Sequence, residues 1–332
     1  MPDSPLLPPG KLPGDLLERL LRTYRTPHDA SVLVDPSYGF DAAAISVGNE
    51  TLLVKSDPIT FATTDAARYL VAVNANDISC MGGVPRWLTV VALLPEHGTT
   101  PALVEHLFRE MQIACTQEGI SLIGGHTEIT LGIDRPILIG TLLGTPGDQG
   151  MLMPGNARAG DELWLTESIA IEGTALLAHE KDEELREALG EDMVTSARHL
   201  LSDPGISVSR VARALLSTGT VTALHDPTEG GVATAIHEIA AASGLGARID
   251  GVVIPVRPET TAIAQHFGID PLGLLSSGAL LVAAKPGAEM ELQATGVRIS
   301  RIGILTEVSD GITIDGEALP RFDSDELTRV LG

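Results

Sequence analysis

Basic residues are scarce in this chain of 332 residues: 22 lysines and arginines face 44 aspartates and glutamates, a formal charge of −22. No basic cluster could neutralise a run of phosphates, which argues against nucleic acid as a partner. The imbalance also repels any free polyanion, since two like charges about 4 Å apart cost on the order of 4 kcal/mol at an effective dielectric near 20. A phosphate-bearing ligand would therefore need a divalent metal beside it. Cysteine is nearly absent. Cys80 and Cys115 alone form neither a disulfide framework nor a zinc spacing, and they suit a reducing compartment, so the cytoplasm is the expected location. No apolar run approaches the roughly 18 residues of a membrane helix. The opening "MPDSPLLPPGKLPG" lacks a charged segment followed by an apolar one, so a soluble protein without membrane partners is expected.

Familiar catalytic templates are missing too. There is no G-x-x-x-x-G-K-[ST] phosphate loop, no G-x-G-x-x-G after a strand, no H-E-x-x-H and no G-x-S-x-G elbow. The standard nucleotide folds are thus poor candidates. A cysteine nucleophile is also disfavoured, because Cys115 falls on an apolar helix stripe and Cys80 lies near the negative charge of Asp77.

What is present is a folded chain: 44% hydrophobic and 20% charged residues exclude disorder. Its length exceeds one usual domain of roughly 100–200 residues, so two units are expected. "DLLERLLRTY" has the leucine spacing of an amphipathic helix, and "SVLV" reads as a strand. "AAISV" and "TLLVK" flank a hairpin at "GNE", where Gly48 and Asn49 would supply positive φ. A turn centred on Asn49 sets Asp41 and Asp57 at equal distances from it, at one end of the hairpin. "DAARYLVAVNANDISCMGG" predicts a helix through about Met81 that places Asn74 and Asp77 on one face. After a strand at "WLTVVALL", a second helix should bury Val104, Leu107, Phe108, Met111 and Cys115 and end at Gly119. "ISLIGG" and "PILIGTLLG" read as strands with an acidic loop between them. The Gly-rich stretch "GDQGMLMPGNARAGDE" is the linker candidate, dividing the chain into 1–152 and 153–332. Strands and helices alternate beyond it, which predicts an α/β layer architecture.

Acidic residues recur where apolar elements end: "GFDAAAI", "VKSDPIT", "NANDISCMGG", "GGHTEI" and "HDPTEGG". Carboxylates converging on one cleft repel unless cations separate them, and hard oxygen ligands select Mg²⁺ over softer metals. Each segment also has a plainer reading. Asp226 could cap the helix after it, Asp57 before Pro58 could mark a turn, Asp77 could be polar decoration on a helix, and His126 could be an ordinary loop histidine.

Taken in order, these motifs together with "SSGALL" resemble the ATP-binding, PurM-like superfamily of aminoimidazole ribonucleotide synthetase. HypE, selenophosphate synthetase and thiamine monophosphate kinase belong to the same superfamily. The resemblance spans roughly residues 10 to 305, and "GKLP", "KSDPITFAT" and "VNANDISCMGG" look closest to its HypE-like, synthetase-related branch. It implies a homodimer whose N-terminal halves share a β-barrel of mixed sheet, with each C-terminal α/β layer closing over ATP. Asp41, Asp57, Asp77 and Asp226 match positions that hold Mg²⁺, with Glu128 or His126 replacing an acid of the family loop GGD-T or GGE-T. Gly124, Gly125 and Thr127 would approach the phosphates, joined by Lys55, Asn76, Gly230 and Gly231, while Asp226 and His126 are the catalytic candidates.

The implied reaction transfers the γ-phosphoryl group to an amide, carbonyl or phosphate oxygen of a small molecule. Departures are visible. HypE-type proteins end in a cysteine, whereas this sequence ends "DELTRVLG", and the reactive N-terminal residue of selenophosphate synthetases has no counterpart before Cys80. The shared ATP chemistry is expected without either acceptor. The alternatives are action on another protein's thiocarbamoyl group and a non-catalytic ATP-binding role beside a maturation partner.

Overall fold

The computed structural model describes residues 11–12, 14–24, 26, 29–35, 39–60, 65–322 and 324–332. The proline-rich opening and the end of "KSDPITFAT" lie outside them. The N-terminal half runs α1 (Gly14–Thr23), β1 (Val32–Val34), β2 (Ala43–Val47), β3 (Glu50–Ile59), α2 (Ala66–Cys80), β4 (Gly83–Pro95), α3 (Pro101–Glu118), β5 (Ser121–Thr130) and β6 (Ile137–Pro146). Its strands form one sheet in the order β1-β2-β3-β6-β4-β5. Every neighbouring pair is antiparallel except β4 with β5.

The C-terminal half contributes β7 (Glu162–Thr166), α4 (Ile171–Glu180), α5 (Asp182–Leu189), α6 (Glu191–His199), α7 (Ser209–Leu216), β8 (Val221–His225), α8 (Gly231–Ser243), β9 (Leu245–Ile249), α9 (Pro258–Phe267) and β10 (Leu281–Ala284). It closes with α10 (Glu289–Ala294), β11 (Ile299–Glu307), β12 (Ile312–Ile314), β13 (Glu317–Ala318) and α11 (Thr328–Leu331). Its sheet has the order β13-β12-β9-β11-β7-β10-β8, so the architecture is a mixed α/β one with two sheets. Among the described residues no helix is long and apolar enough to cross a membrane.

Helix α2 is the hub. Every residue of it except Arg68 is buried, because its one side lies on β3, β4, β6 and α3 while the other meets α7 and β8. A helix that is apolar around most of its circumference is stable only in such a position. Its polar residues are therefore paired or functional. Asn76 spans the two halves, donating from Nδ2 to the Ile206 carbonyl at 2.9 Å and accepting at Oδ1 from the Val208 amide at 2.8 Å. Ser79 Oγ lies 3.0 Å from Ser209 Oγ. The helix ends where the glycines require. A Cβ on Gly83 would come within 2.7 Å of the Ile78 carbonyl oxygen, a backbone clash that glycine avoids as the chain turns directly into β4.

Three sequence expectations change. In the hairpin the register runs from Ala43 opposite Val54 to Val47 opposite Glu50, so the turn centres between Gly48 and Asn49 rather than on Asn49. Gly48 supplies the positive φ of 64° and Asn49 does not share it. Phe108 is 46% exposed, and the buried stripe of α3 is Leu107, Met111, Ala114 and Cys115.

The third change is larger. Residues 124–128 form no loop, since β5 continues to Thr130 in parallel register with β4, Gly125 opposite Val90 and Glu128 opposite Leu93. A Cβ on Gly125 would sit 1.8 Å from the Val90 carbonyl oxygen. The glycine is what permits the pairing.

Candidate functional site

Four aspartates remote in sequence gather where α2 meets the ends of β3 and β8. Lys55 and Asp57, two apart on β3, leave the sheet on one face. Lys55 Nζ bridges Asp57 Oδ2 at 3.2 Å and Asp77 Oδ2 at 3.1 Å. Asp41, just before β2, contacts His225 at the end of β8, with Oδ1 to Nδ1 at 2.7 Å. The other imidazole nitrogen, Nε2, meets Glu238 Oε2 of α8 at 2.8 Å. Asp226 follows His225 and lies 3.7 Å through Oδ1 from the Cys80 thiol, which closes α2.

The charges do not balance. Burial raises Asp77 well above the ordinary carboxylate range; Lys55 opposes this, and Asp226, Asp57 and Asp41 add to it. Burial also pushes Asp226 up to about 6, with Asp41 adding to it and His225 and Lys55 opposing. Burial alone would lower the Lys55 pKa, yet Asp77, Asp57 and Asp41 reverse that and hold the ammonium charged. His225 is likewise raised well above its ordinary value, since Asp41 and Glu238 outweigh burial. Glu238 falls to about 2 despite its burial, drawn down by Lys11, His225 and Lys55.

Asp41 and Asp226 are 7% and 1% exposed, and the Oδ2 atom of each has no hydrogen-bond partner among the described residues. Orphaned carboxylate oxygens inside a protein are costly unless a cation or proton meets them. The donor set is all-oxygen apart from Cys80, and two of its members, Asp57 and Asp77, already attract one cation, Lys55. A divalent metal fits it.

A cleft of about 450 Å³ opens beside α8, lined in part by Lys11, Glu229, Gly230, Glu238, Arg321 and Asp325. Lys11 crosses its rim, donating from Nζ to Thr228 Oγ1 at 3.0 Å and from its amide to Glu229 Oε2 at 3.1 Å. Gly230 and Gly231, both with positive φ, shape the turn into α8. Their amides are already used, by Asp325 Oδ2 at 2.8 Å and the Thr228 carbonyl at 3.0 Å. The N-cap of α8 is Gly230, so Asp226 does not cap that helix.

The "GGHTE" residues stand apart from this cluster within one chain. Asp57 pairs with Gly140, Gly140 with Val90 and Val90 with Gly125, which sets Gly125 roughly 14 Å from Asp57 along the sheet. His126 and Glu128 alternate with Gly125 and Thr127, so they leave the sheet on the face opposite Asp57. They bond to each other, His126 Nε2 to Glu128 Oε2 at 3.2 Å, and Thr130 Oγ1 donates to Glu128 Oε1 at 2.8 Å.

The order and location of these elements agree with two family models. The AIR synthase related protein N-terminal domain matches residues 39–145 and the C-terminal domain matches residues 158–316. The chain belongs to the AIR synthase-related family. Its aspartate cluster straddles both family domains, with Asp41, Asp57 and Asp77 in the first and Asp226 in the second.

The carbamoyl dehydratase HypE of Rhizobium leguminosarum bv. viciae is 28% identical over 315 residues, 86% of this chain and 86% of that protein. Among solved structures, a HypE–HypF complex aligns with a TM-score of 0.72 at 20% identity, covering 93% of this chain and 99% of that one. A hydrogenase maturation protein HypE in complex with ATP aligns with a TM-score of 0.71 at 22% identity, covering 93% and 96%. These likenesses establish the AIR synthase-related fold.

His225, Glu238 and Lys11 line this site, yet none of them was a candidate from the sequence. His225 stood in a quoted motif beside Asp226, but its partner Glu238 lies 13 residues on, across a strand end, a turn and two helical turns. No periodicity links such positions.

Proposed function

We propose that this chain is a Mg²⁺- and ATP-dependent phosphoryl-transfer enzyme of the AIR synthase and HypE type, which activates an amide or carbonyl oxygen of a small molecule. The observation that carries the reading is the convergence of Asp41, Asp57, Asp77 and Asp226 with two buried carboxylate oxygens unpartnered. These four side chains would hold the ion, which when bound neutralises triphosphate charge that the protein's own excess of acid would repel. Lys55 holds Asp57 and Asp77 in place as a fixed counter-charge. His225, gripped between Asp41 and Glu238, fixes the orientation of Asp41. Lys11 and Arg321 bring positive charge to the rim of the adjoining cleft. Asn76, Gly230 and Gly231 support the site by shaping its walls.

The relatives' name points to the amide oxygen of a carbamoyl group as the acceptor, and the HypE–HypF complex to a maturation protein as partner. We assign residues 1–152 and 153–332 as the two domains and the cytoplasm as location. The test is direct. ATP should bind with micromolar-range affinity by titration calorimetry only when Mg²⁺ is present, and ADP should form with a carbamoylated thiol. Equal ATP binding without Mg²⁺ would refute the metal reading; tight binding with no ADP from any amide or carbamoyl compound would refute the acceptor.

The second proposed element is a homodimer built on the β5 edge. Among the described residues that strand has no neighbour beyond β4, yet it exposes Leu122, Ile123 and Ile129, and Ile129 lines a groove with Val104 and Phe108 of α3. Unprotected apolar edges invite another strand, and a second copy carries the matching one. Since His126 and Glu128 leave the sheet on the face opposite their own chain's Asp57, any role of theirs on a nucleotide would be exercised toward the partner's cluster. Light scattering should give a dimer mass, and Ile123→Asp with Ile129→Asp should shift it to monomer, weakening association on the order of 100-fold or more. An unchanged dimer would place the interface elsewhere.

A further inference from the structure

The inner end of the acidic cluster is not all oxygen. Cys80 Sγ and one carboxylate oxygen each of Asp41 and Asp226 lie within 4.8 Å of one another, brought together from the end of α2 and the segments before β2 and after β8. Sulfur at about 2.3 Å and oxygen at about 2.0–2.2 Å from one ion imply ligand separations of roughly 3.5 Å in a tetrahedral arrangement. The observed distance from Cys80 Sγ to Asp226 Oδ1 is 3.7 Å. All three side chains are more than nine-tenths buried, and the Oδ2 atoms of Asp41 and Asp226 have no hydrogen-bond partner among the described residues. Within this trio the Cys80 S–H donates to Asp226 Oδ1, so a cation that displaces its proton meets the thiolate and both carboxylates together.

We propose that Cys80, Asp41 and Asp226 form a mixed sulfur–oxygen site for a thiophilic divalent cation of the zinc class. An all-oxygen cluster prefers magnesium; one thiolate tips the preference toward zinc, cadmium and their neighbours. Binding exchanges one cation for one proton: the metal–sulfur bond forms as the S–H bond breaks, and the proton leaves to solvent. The site shares Asp41 and Asp226 with the magnesium reading but needs neither nucleotide nor magnesium. Occupation by the softer ion would compete with magnesium for those two carboxylates, so the sulfur makes the enzyme's metal choice a property of this one residue.

Cadmium is the probe, because a cadmium–thiolate bond gives an ultraviolet charge-transfer band that carboxylates do not. Titration of the whole wild-type protein in the absence of nucleotide should produce that band with saturation at one cadmium per chain. Cys115→Ser should keep the band. Cys80→Ala should lose it, with cadmium affinity by equilibrium dialysis falling on the order of 100-fold. Absence of the band in the wild type, or its persistence in a folded Cys80→Ala protein, would overturn the site. Circular dichroism checks that each variant is folded, and Cys80→Ser gives a second route if the alanine variant is not. The magnesium reading is tested separately by ATP titration of the same wild-type protein, so either idea can fail alone.

Discussion

Replacing Asp226 with asparagine is expected to weaken Mg²⁺-dependent ATP binding by about 100-fold or more, a loss of roughly 2.7 kcal/mol, while making the unliganded protein more stable. Both effects follow from one environment. Asp226 is 1% exposed and its Oδ2 has no hydrogen-bond partner among the described residues, and His225 and Lys55 only partly offset the cost of burying its charge. Its carboxyl is pushed from the ordinary 3.8 up to about 6 by burial and by Asp41.

A carboxyl whose pKa is raised on folding costs stability as pH rises through the window between its unfolded and folded values. Above about pH 6 the full penalty applies, here on the order of 2–3 kcal/mol. Asparagine removes that charge, so thermal or denaturant unfolding at pH 7.5 should show the variant as stable as wild type or more so. Calorimetry with Mg²⁺ and ATP should show the affinity loss. An equally tight, magnesium-dependent complex would remove Asp226 from the metal set. Lower stability together with weak binding would mean that the residue is structural instead.

Glu172→Gln should have the largest effect on the pH dependence of stability. Glu172 lies in the first turn of α4, 5% exposed, with Oε2 unpartnered. Burial pushes its carboxyl from 4.5 up to about 8, with the negative charges of Asp325, Asp226 and Glu229 adding to the shift. The sign is the same as for Asp226. The folded state holds a proton that the unfolded chain releases near 4.5, so stability is fully present below that pH and falls as pH rises toward 8.

By pH 9 the loss attributable to this group is on the order of 3–5 kcal/mol. Denaturant unfolding of wild type and variant at pH 5 and pH 9 should show the variant losing that much less. Parallel profiles would mean that Glu172 is ionised in the fold at neutral pH.

Much of the site was legible because its residues sit at punctuation marks. Asp41 stands just before β2, Asp57 and Asp77 within three residues of the ends of β3 and α2, and Asp226 just after β8, and such ends are where loops and polar groups collect. The helix around "NANDISC" could be drawn from its composition alone, and so could its stop at the glycines. The "GGHTE" stretch misled for a physical reason. Paired glycines usually mark a turn, but here Gly125 is demanded by the close approach of Val90 in a parallel ladder, a contact set by a strand 35 residues away. Phe108 fits the helical stripe by spacing and is nevertheless exposed.

The sequence by itself determined the excess of acid and the placing of aspartates near strand and helix ends, and from these came the expectation that a phosphate ligand would need a divalent metal. Local preferences and charge are properties of composition and spacing, so they can be read in one dimension. Only the tertiary structure decided which of the acids share a space. It joined Lys55 to Asp57 and Asp77, clamped His225 between Asp41 and Glu238, set Cys80 beside Asp226, and left Glu128 on the other face of the sheet. Those outcomes depend on strand register and on the packing of α2 between two layers, where a shift of one residue turns a side chain to the opposite face.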